Sequence, residues 1–124
     1  MRPSDWTLQC LAVYTQGVWR LLPLRRFVVA DTSMAPTLQP GDRLFVFQWS
    51  RPKLGDLTVF IEPDRHLTFA IKRVARIEPN GDVIVQADNP NVSRDSREFG
   101  PVPRRLIVGR VIFRYLPAET RGRL

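Results

Sequence analysis

The chain has 124 residues, 44% hydrophobic and 25% charged. That fits one folded domain and excludes both a disordered chain and a catalytic domain carrying a separate substrate domain. Nineteen Lys and Arg against twelve Asp and Glu leave a net charge of +7, which favours acidic partners, anionic lipid or nucleic acid, or is simply a set of solvated arginines. Cys10 is the one cysteine and His66 the one histidine, so an internal disulfide and a Cys/His metal cluster are both excluded and nothing marks an oxidising compartment.

The first predicted element is an amphipathic helix. Between Asp5 and Leu22, Leu8, Leu11, Ala12, Thr15, Val18, Trp19 and Leu22 recur at helical spacing, with Gln9, Gln16 and Arg20 off the stripe. The apolar stretch Leu8–Leu24 is about 17 residues and is interrupted by Arg20, short of the ~20 residues a spanning helix needs. No small-residue cleavage site follows it, which argues against a secretory signal. The expectation is a helical segment over 1–26, packed on the domain or lying on a membrane surface with help from Arg25 and Arg26, in a protein that is otherwise cytoplasmic.

From Phe27 the pattern changes to short Val/Ile/Phe-rich runs punctuated by Pro, Gly and Asp, the signature of an all-β domain over 27–124. The predicted strands are Arg43–Phe47, Leu57–Ile61, Leu67–Ile77, Asp82–Gln86 and Leu106–Tyr115, separated by turn sequences of which Pro79-Asn80-Gly81-Asp82 is the strongest hairpin signal. The long stretch Ala87–Arg105 has no strand pattern. In so small a domain, such a polar segment points to function.

Two residues stand out for chemistry. Ser33 follows the apolar run Phe27–Ala30 and precedes a Pro-Gly turn, where a hydroxyl can be presented beside free N–H groups; by location alone it equally fits a turn former. Lys72 lies within a strand, on the face shared by Thr68, Ala70 and Val74, where desolvation would lower its pKa and make a neutral general base. An edge-strand lysine reaching water is the alternative. His66 follows the turn Glu62-Pro63-Asp64-Arg65 and reads as an exposed loop residue without a role. The segment Ala87–Gly100 gathers short hydrogen-bonding side chains with two potential Asp/Arg pairs, able to form a rigid polar network.

In order, Ser33-Met34-Ala35-Pro36-Thr37-Leu38, Gly41-Asp42, Ile71-Lys72-Arg73-Val74, Asp88-Asn89 and Ser93-Arg94-Asp95-Ser96-Arg97-Glu98-Phe99-Gly100-Pro101-Val102 resemble the type I signal peptidase family. The resemblance covers about residues 27 to 116. It implies a mainly β, coiled-sheet domain and a cofactor-free serine endopeptidase with a Ser/Lys dyad, acting on a precursor protein. Ser33 would be the nucleophile and Lys72 the base. Ser93 would orient the lysine, Met34 would pack by it, Asp95 and Arg97 would brace the site, and Asp88 would support it.

Two positions depart from the family pattern. Asp31 stands where relatives carry Gly or Ser two residues before the nucleophile, so its side chain is expected to point away and leave the Ser33 N–H to bind the oxyanion. Ala87 replaces the glycine that usually precedes Asp88-Asn89. Within the family, the run Asp95–Pro103 followed by Val108-Gly109-Arg110-Val111 looks most like the nickel-type superoxide dismutase maturation proteases, which implies the dismutase precursor as substrate. A general leader peptidase at the membrane is the competing enzyme reading. A non-catalytic basic β domain binding nucleic acid is the competing class, and it leaves the motif order unexplained, so no nucleic acid is expected.

Overall fold

The computed structural model describes residues 23–49, 51–65, 67–92 and 94–124. Among these residues seven strands form one antiparallel sheet: β1 (Leu24–Val28), β2 (Arg43–Phe47), β3 (Leu57–Ile61), β4 (Phe69–Ile77), β5 (Val83–Gln86), β6 (Ile107–Leu116) and β7 (Gly122–Arg123). Their order is β1-β2-β6-β3-β4-β5, with β7 also paired to β6. The mainly β expectation therefore holds. The expected amphipathic helix falls almost wholly on residues outside those described, while Leu24–Arg26, assigned to it, lie in strand β1 and pair with Phe47, Val46 and Phe45. Among the described residues no helix is long and apolar enough to cross a membrane.

The predicted strands Arg43–Phe47 and Leu57–Ile61 are found with those ends. Others shift for local reasons. Leu67 has φ 62°, and the Glu62 N–H bonds to the Thr68 carbonyl, so a turn holds these residues and β4 starts at Phe69. Asp82 gives its N–H to Asn80 Oδ1 and its carbonyl to the Glu78 N–H, which leaves β5 to begin at Val83. Leu106 closes a 3-10 turn, Arg104–Leu106, ahead of β6. The expected strandless stretch 87–105 holds a one-turn helix, Ser96–Phe99, and a single bridge from Val102 to Val83.

Strand β3 explains how one sheet builds a core on each face. Alternate side chains point to opposite sides, so Leu57 and Val59 join Phe27, Leu38, Leu44, Val46 and Val111 on one side. Phe60 joins Val74, Val83, Val85 and Val102 on the other. Strand β6 bonds β2 along one edge, and its other edge changes partner from β3 to β7. Register shifts in the β2–β6, β3–β6 and β4–β5 ladders add local twist and bend the strands. At the crossing, a Cβ on Gly109 would stand 2.5 Å from the Phe47 carbonyl oxygen, so only glycine lets β2 and β6 approach this closely.

Candidate active site

Ser33 lies on the turn between β1 and β2, and Lys72 in the middle of β4, opposite Thr58 of β3. The two side chains meet: Lys72 Nζ is 2.7 Å from Ser33 Oγ. Both residues are nearly inaccessible, at 5% and 3% exposed. The lysine side chain does not reach water. Burial disfavours its ammonium and lowers its pKa below the usual lysine range, against the opposing pull of Asp31, Glu62 and Asp95, while Arg94 adds to the lowering.

The polar segment after β5 clasps the turn that carries Ser33. Asn89 donates its N–H to the Ser33 carbonyl and its amide to the Thr32 carbonyl. Asp88 accepts the Thr37 hydroxyl at 2.7 Å and takes both arms of the Arg73 guanidinium, at 2.9 and 2.7 Å. It thereby ties the turn to the strand residue next to Lys72. The bonded Arg73 guanidinium holds the Asp88 carboxyl below the usual carboxylate range. Met34 is buried, and its Sδ accepts the Asp88 N–H at 3.4 Å.

Asp95 is fully buried. Burial alone would raise its pKa, but the Arg97 side chain and the N–H groups of Ala87 and Arg97 reverse that, and the net direction is down. Arg97 pairs both arms with it at 2.9 Å. Asp95 also caps the one-turn helix through the Arg97 N–H and accepts the Ala87 N–H at 2.8 Å. Thus Asp88, Asp95, Arg97 and Met34 form a connected scaffold around the Ser33–Lys72 contact. Ser93 lies outside the described residues, as does His66.

One expectation is overturned. Asp31 does not point away from the turn: its Oδ1 accepts the Ser33 N–H at 3.0 Å. An aspartate two residues ahead of an N–H folds back on it readily in a turn, and the family comparison alone did not register this local geometry.

The sequence reading also missed a neighbouring ion cluster. Arg94 Nη2 reaches Glu62 Oε2 at 3.0 Å and Asp64 Oδ1 at 2.5 Å, and its guanidinium stacks 5.3 Å from the Phe99 ring. Glu62 is buried, so the link joins the β3–β4 turn to the segment carrying Asp95. The available signal was an acid at each end of Glu62-Pro63-Asp64, which reads equally as turn chemistry.

Beside Ser33, a cavity of about 50 Å³ opens between the end of β1 and the start of β4. It is lined by Val29, Ala30, Asp31, Met34, Ala70 and Ile71, among others. Strand β5 pairs only with Arg73–Ile77 of β4 and β1 ends the sheet, so among the described residues both walls of the cavity are strand edges without a ladder partner. Among the described residues no His/Cys/Asp/Glu group is arranged to hold a metal ion.

A family model described as signal peptidase, peptidase S26, matches residues 5–80 and 75–116. The mitochondrial ATP-independent inner membrane protease subunit 1b of Arabidopsis thaliana is 35% identical, across 74% of this chain and 70% of its own. The probable signal peptidase I-1 of Synechocystis is 30% identical, across 80% and 74%. The mitochondrial inner membrane protease subunit 1 of Mus musculus is 31% identical, across 98% and 86%.

Proposed function

The chain belongs to the signal peptidase family, peptidase S26, and from that premise we propose that it is a serine endopeptidase that removes an N-terminal leader from a precursor protein with a Ser33/Lys72 dyad. The observation that carries this reading is the buried 2.7 Å contact between Lys72 Nζ and Ser33 Oγ. An amine with a depressed pKa at that distance takes the hydroxyl proton as Oγ attacks the scissile carbonyl. It then returns the proton to the leaving amine, and a water deprotonated by the same Nζ releases the acyl group from Ser33. Asp88, Asp95, Arg97 and Met34 hold the two reacting atoms in place, and Ser93 is assigned the role of orienting the lysine.

The Asp31 contact adds a condition. With Oδ1 on the Ser33 N–H, the carboxylate must leave before that donor can stabilise an oxyanion. The edges flanking the cavity would take the precursor as an added strand. A space of about 50 Å³ admits only a small side chain before the cleaved bond.

The finer substrate assignment belongs to the same proposal. The precursor of nickel-type superoxide dismutase is the first candidate, on the resemblance in Asp95–Pro103 and Val108–Val111. The Arabidopsis and mouse relatives are named for the mitochondrial inner membrane, so processing at a membrane, with residues 1–22 in contact with it, stands ahead of the cytoplasmic expectation. The experiment is intact-mass analysis of the dismutase precursor, and of an exported precursor on membranes, after incubation with wild-type protein and with Ser33→Ala. One defined N-terminal loss, seen only with wild type, identifies the substrate. Equal loss with Ser33→Ala would refute the Ser33 nucleophile, and cleavage of the exported precursor alone would refute the dismutase assignment.

A further inference from the structure

A second concave surface lies away from the dyad. It is a groove of about 560 Å³ between the β2–β3 connection and the turn leading into β6. Ile77, at the end of β4, lies in its wall, about five residues beyond Lys72, or roughly 17 Å along the strand. The groove is therefore distinct from the cavity at Ser33.

Its chemistry is one-sided. Arg51, Arg104 and Arg105 line it and no carboxylate does. All three are exposed, and none of their guanidinium groups has a hydrogen bond or ion pair among the described residues. The nearby acids are engaged: Glu78 pairs with Arg76 at 2.7 Å, and Asp82 accepts from the Asn80 amide. Arg104 is also placed. Its aliphatic stem crosses Gly81 so closely that a Cβ there would stand 2.2 Å from Arg104 Cδ. That glycine is held at φ 90° by the β4–β5 hairpin. The rest of the lining is mostly apolar, with Ile77, Val83, Ile107 and Val108 beside Gln48 and with Trp49, which is 75% exposed.

Three unpaired guanidinium groups around an apolar trough fit carboxylates that flank hydrophobic side chains, because guanidinium binds carboxylate in a two-pronged fashion and an exposed indole supplies an anchor surface. A concave volume of about 560 Å³ favours an inserted peptide over a flat surface. Residues 1–22 carry Asp5 against Arg2 and Arg20, so their sequence has no acidic surplus to match these arginines. We propose that this groove docks an acidic, apolar stretch of polypeptide, carried by the precursor outside the residues at the cleaved bond. Its assignment to the precursor rests on the peptidase reading, whereas the binding itself does not.

The test therefore uses full-length Ser33→Ala protein, so that no cleavage is needed. Trp6→Phe and Trp19→Phe leave Trp49 as the fluorescent reporter. The probe is a synthetic nonapeptide alternating Glu and Leu, set against its Lys/Leu counterpart, vesicles of anionic phosphatidylglycerol and a single-stranded oligonucleotide. The expected result is saturable binding of the acidic peptide, weakened by salt and at least ten-fold weaker in the Arg51→Gln/Arg104→Gln/Arg105→Gln variant. Absence of saturable binding, equal binding of the Lys/Leu peptide, or unchanged affinity in the triple variant would each overturn the proposal. So would vesicles or oligonucleotide that displace the acidic peptide and bind the groove more tightly. A protein that binds the peptide yet cleaves no precursor would remove the peptidase reading and leave the docking groove standing.

Discussion

The β2–β6–β3 seam and the Ser33/Lys72 site occupy the same small sheet and are held together by different physics. In the seam, Leu44, Val46, Val59 and Val111 are closed to solvent, and the backbone ladders run between residues that alternation already assigns to strands. At the site, the critical bonds are polar and join distant parts of the chain: Lys72 to Ser33, Asp88 to Thr37, Asn89 to Thr32. Apolar packing tolerates approximate shapes and gives stability. A buried polar network works only when each member is satisfied, and it fixes geometry. Substitutions in the two regions should therefore separate stability from activity.

The largest separation is expected from Lys72→Met. Cleavage should fall by roughly 10³-fold or more, while stability should rise by about 1 kcal/mol at pH values where the wild-type ammonium is retained, because an apolar chain replaces a buried charge. The sign follows from the lowered pKa. Below the folded-state pKa, Lys72 is charged in both states and the full burial cost is present. As pH climbs toward the unfolded value of 10.5, the folded protein loses the proton first and wild-type stability recovers. Denaturant titrations at several pH values should show the advantage of Lys72→Met shrinking as pH rises.

Asp95→Ala should come next, costing about 3 kcal/mol, since it strips the Ala87 N–H and the Arg97 guanidinium of a shared buried acceptor. Cleavage by the protein that remains folded should fall as well. Gly109→Ala should cost about 2 kcal/mol through the clash with the Phe47 carbonyl, with the rate per folded molecule unchanged. If Gly109→Ala lowered that rate as much as Asp95→Ala, the proposed division between seam and site would fail.

How much of this was legible in the sequence divides along the same line. The seam strands Arg43–Phe47 and Leu57–Ile61 could be read from their residues because β-branched and aromatic runs between Pro/Gly turns carry their own instruction. Strand β1 was harder: Arg25 and Arg26 interrupt it, and its first residues look like the tail of a helix. For Ser33 and Lys72, local reading left both a turn former and an edge lysine open, and it was the family motif order that joined them. The Glu62–Arg94–Asp64 cluster and the Asp31 contact were illegible because each depends on how two turns approach in space. The register of β4 against β3 likewise came only with the fold.

The smallest predicted effect concerns Asp31. Asp31→Ser removes the carboxylate from the Ser33 N–H and withdraws a negative charge that raises the Lys72 pKa. The cleavage rate should increase several-fold, and its rise with pH should begin at lower pH, with stability changed by no more than about 0.5 kcal/mol. A pH profile identical to wild type would mean that the Asp31 charge does not act on the dyad.

The central claim is that Lys72 makes Ser33 a nucleophile, and it can be measured without knowing the precursor. Incubation with p-nitrophenyl acetate, followed by peptide mapping, reports acyl transfer to each side chain. The account predicts rapid acetylation of Ser33 in wild type, at a rate rising with pH to a limit set by a group with a pKa below 10.5, and slow acetylation at this position in folded Lys72→Met. Equal Ser33 labelling in Lys72→Met, or no preference for Ser33 over other hydroxyls in wild type, would contradict it.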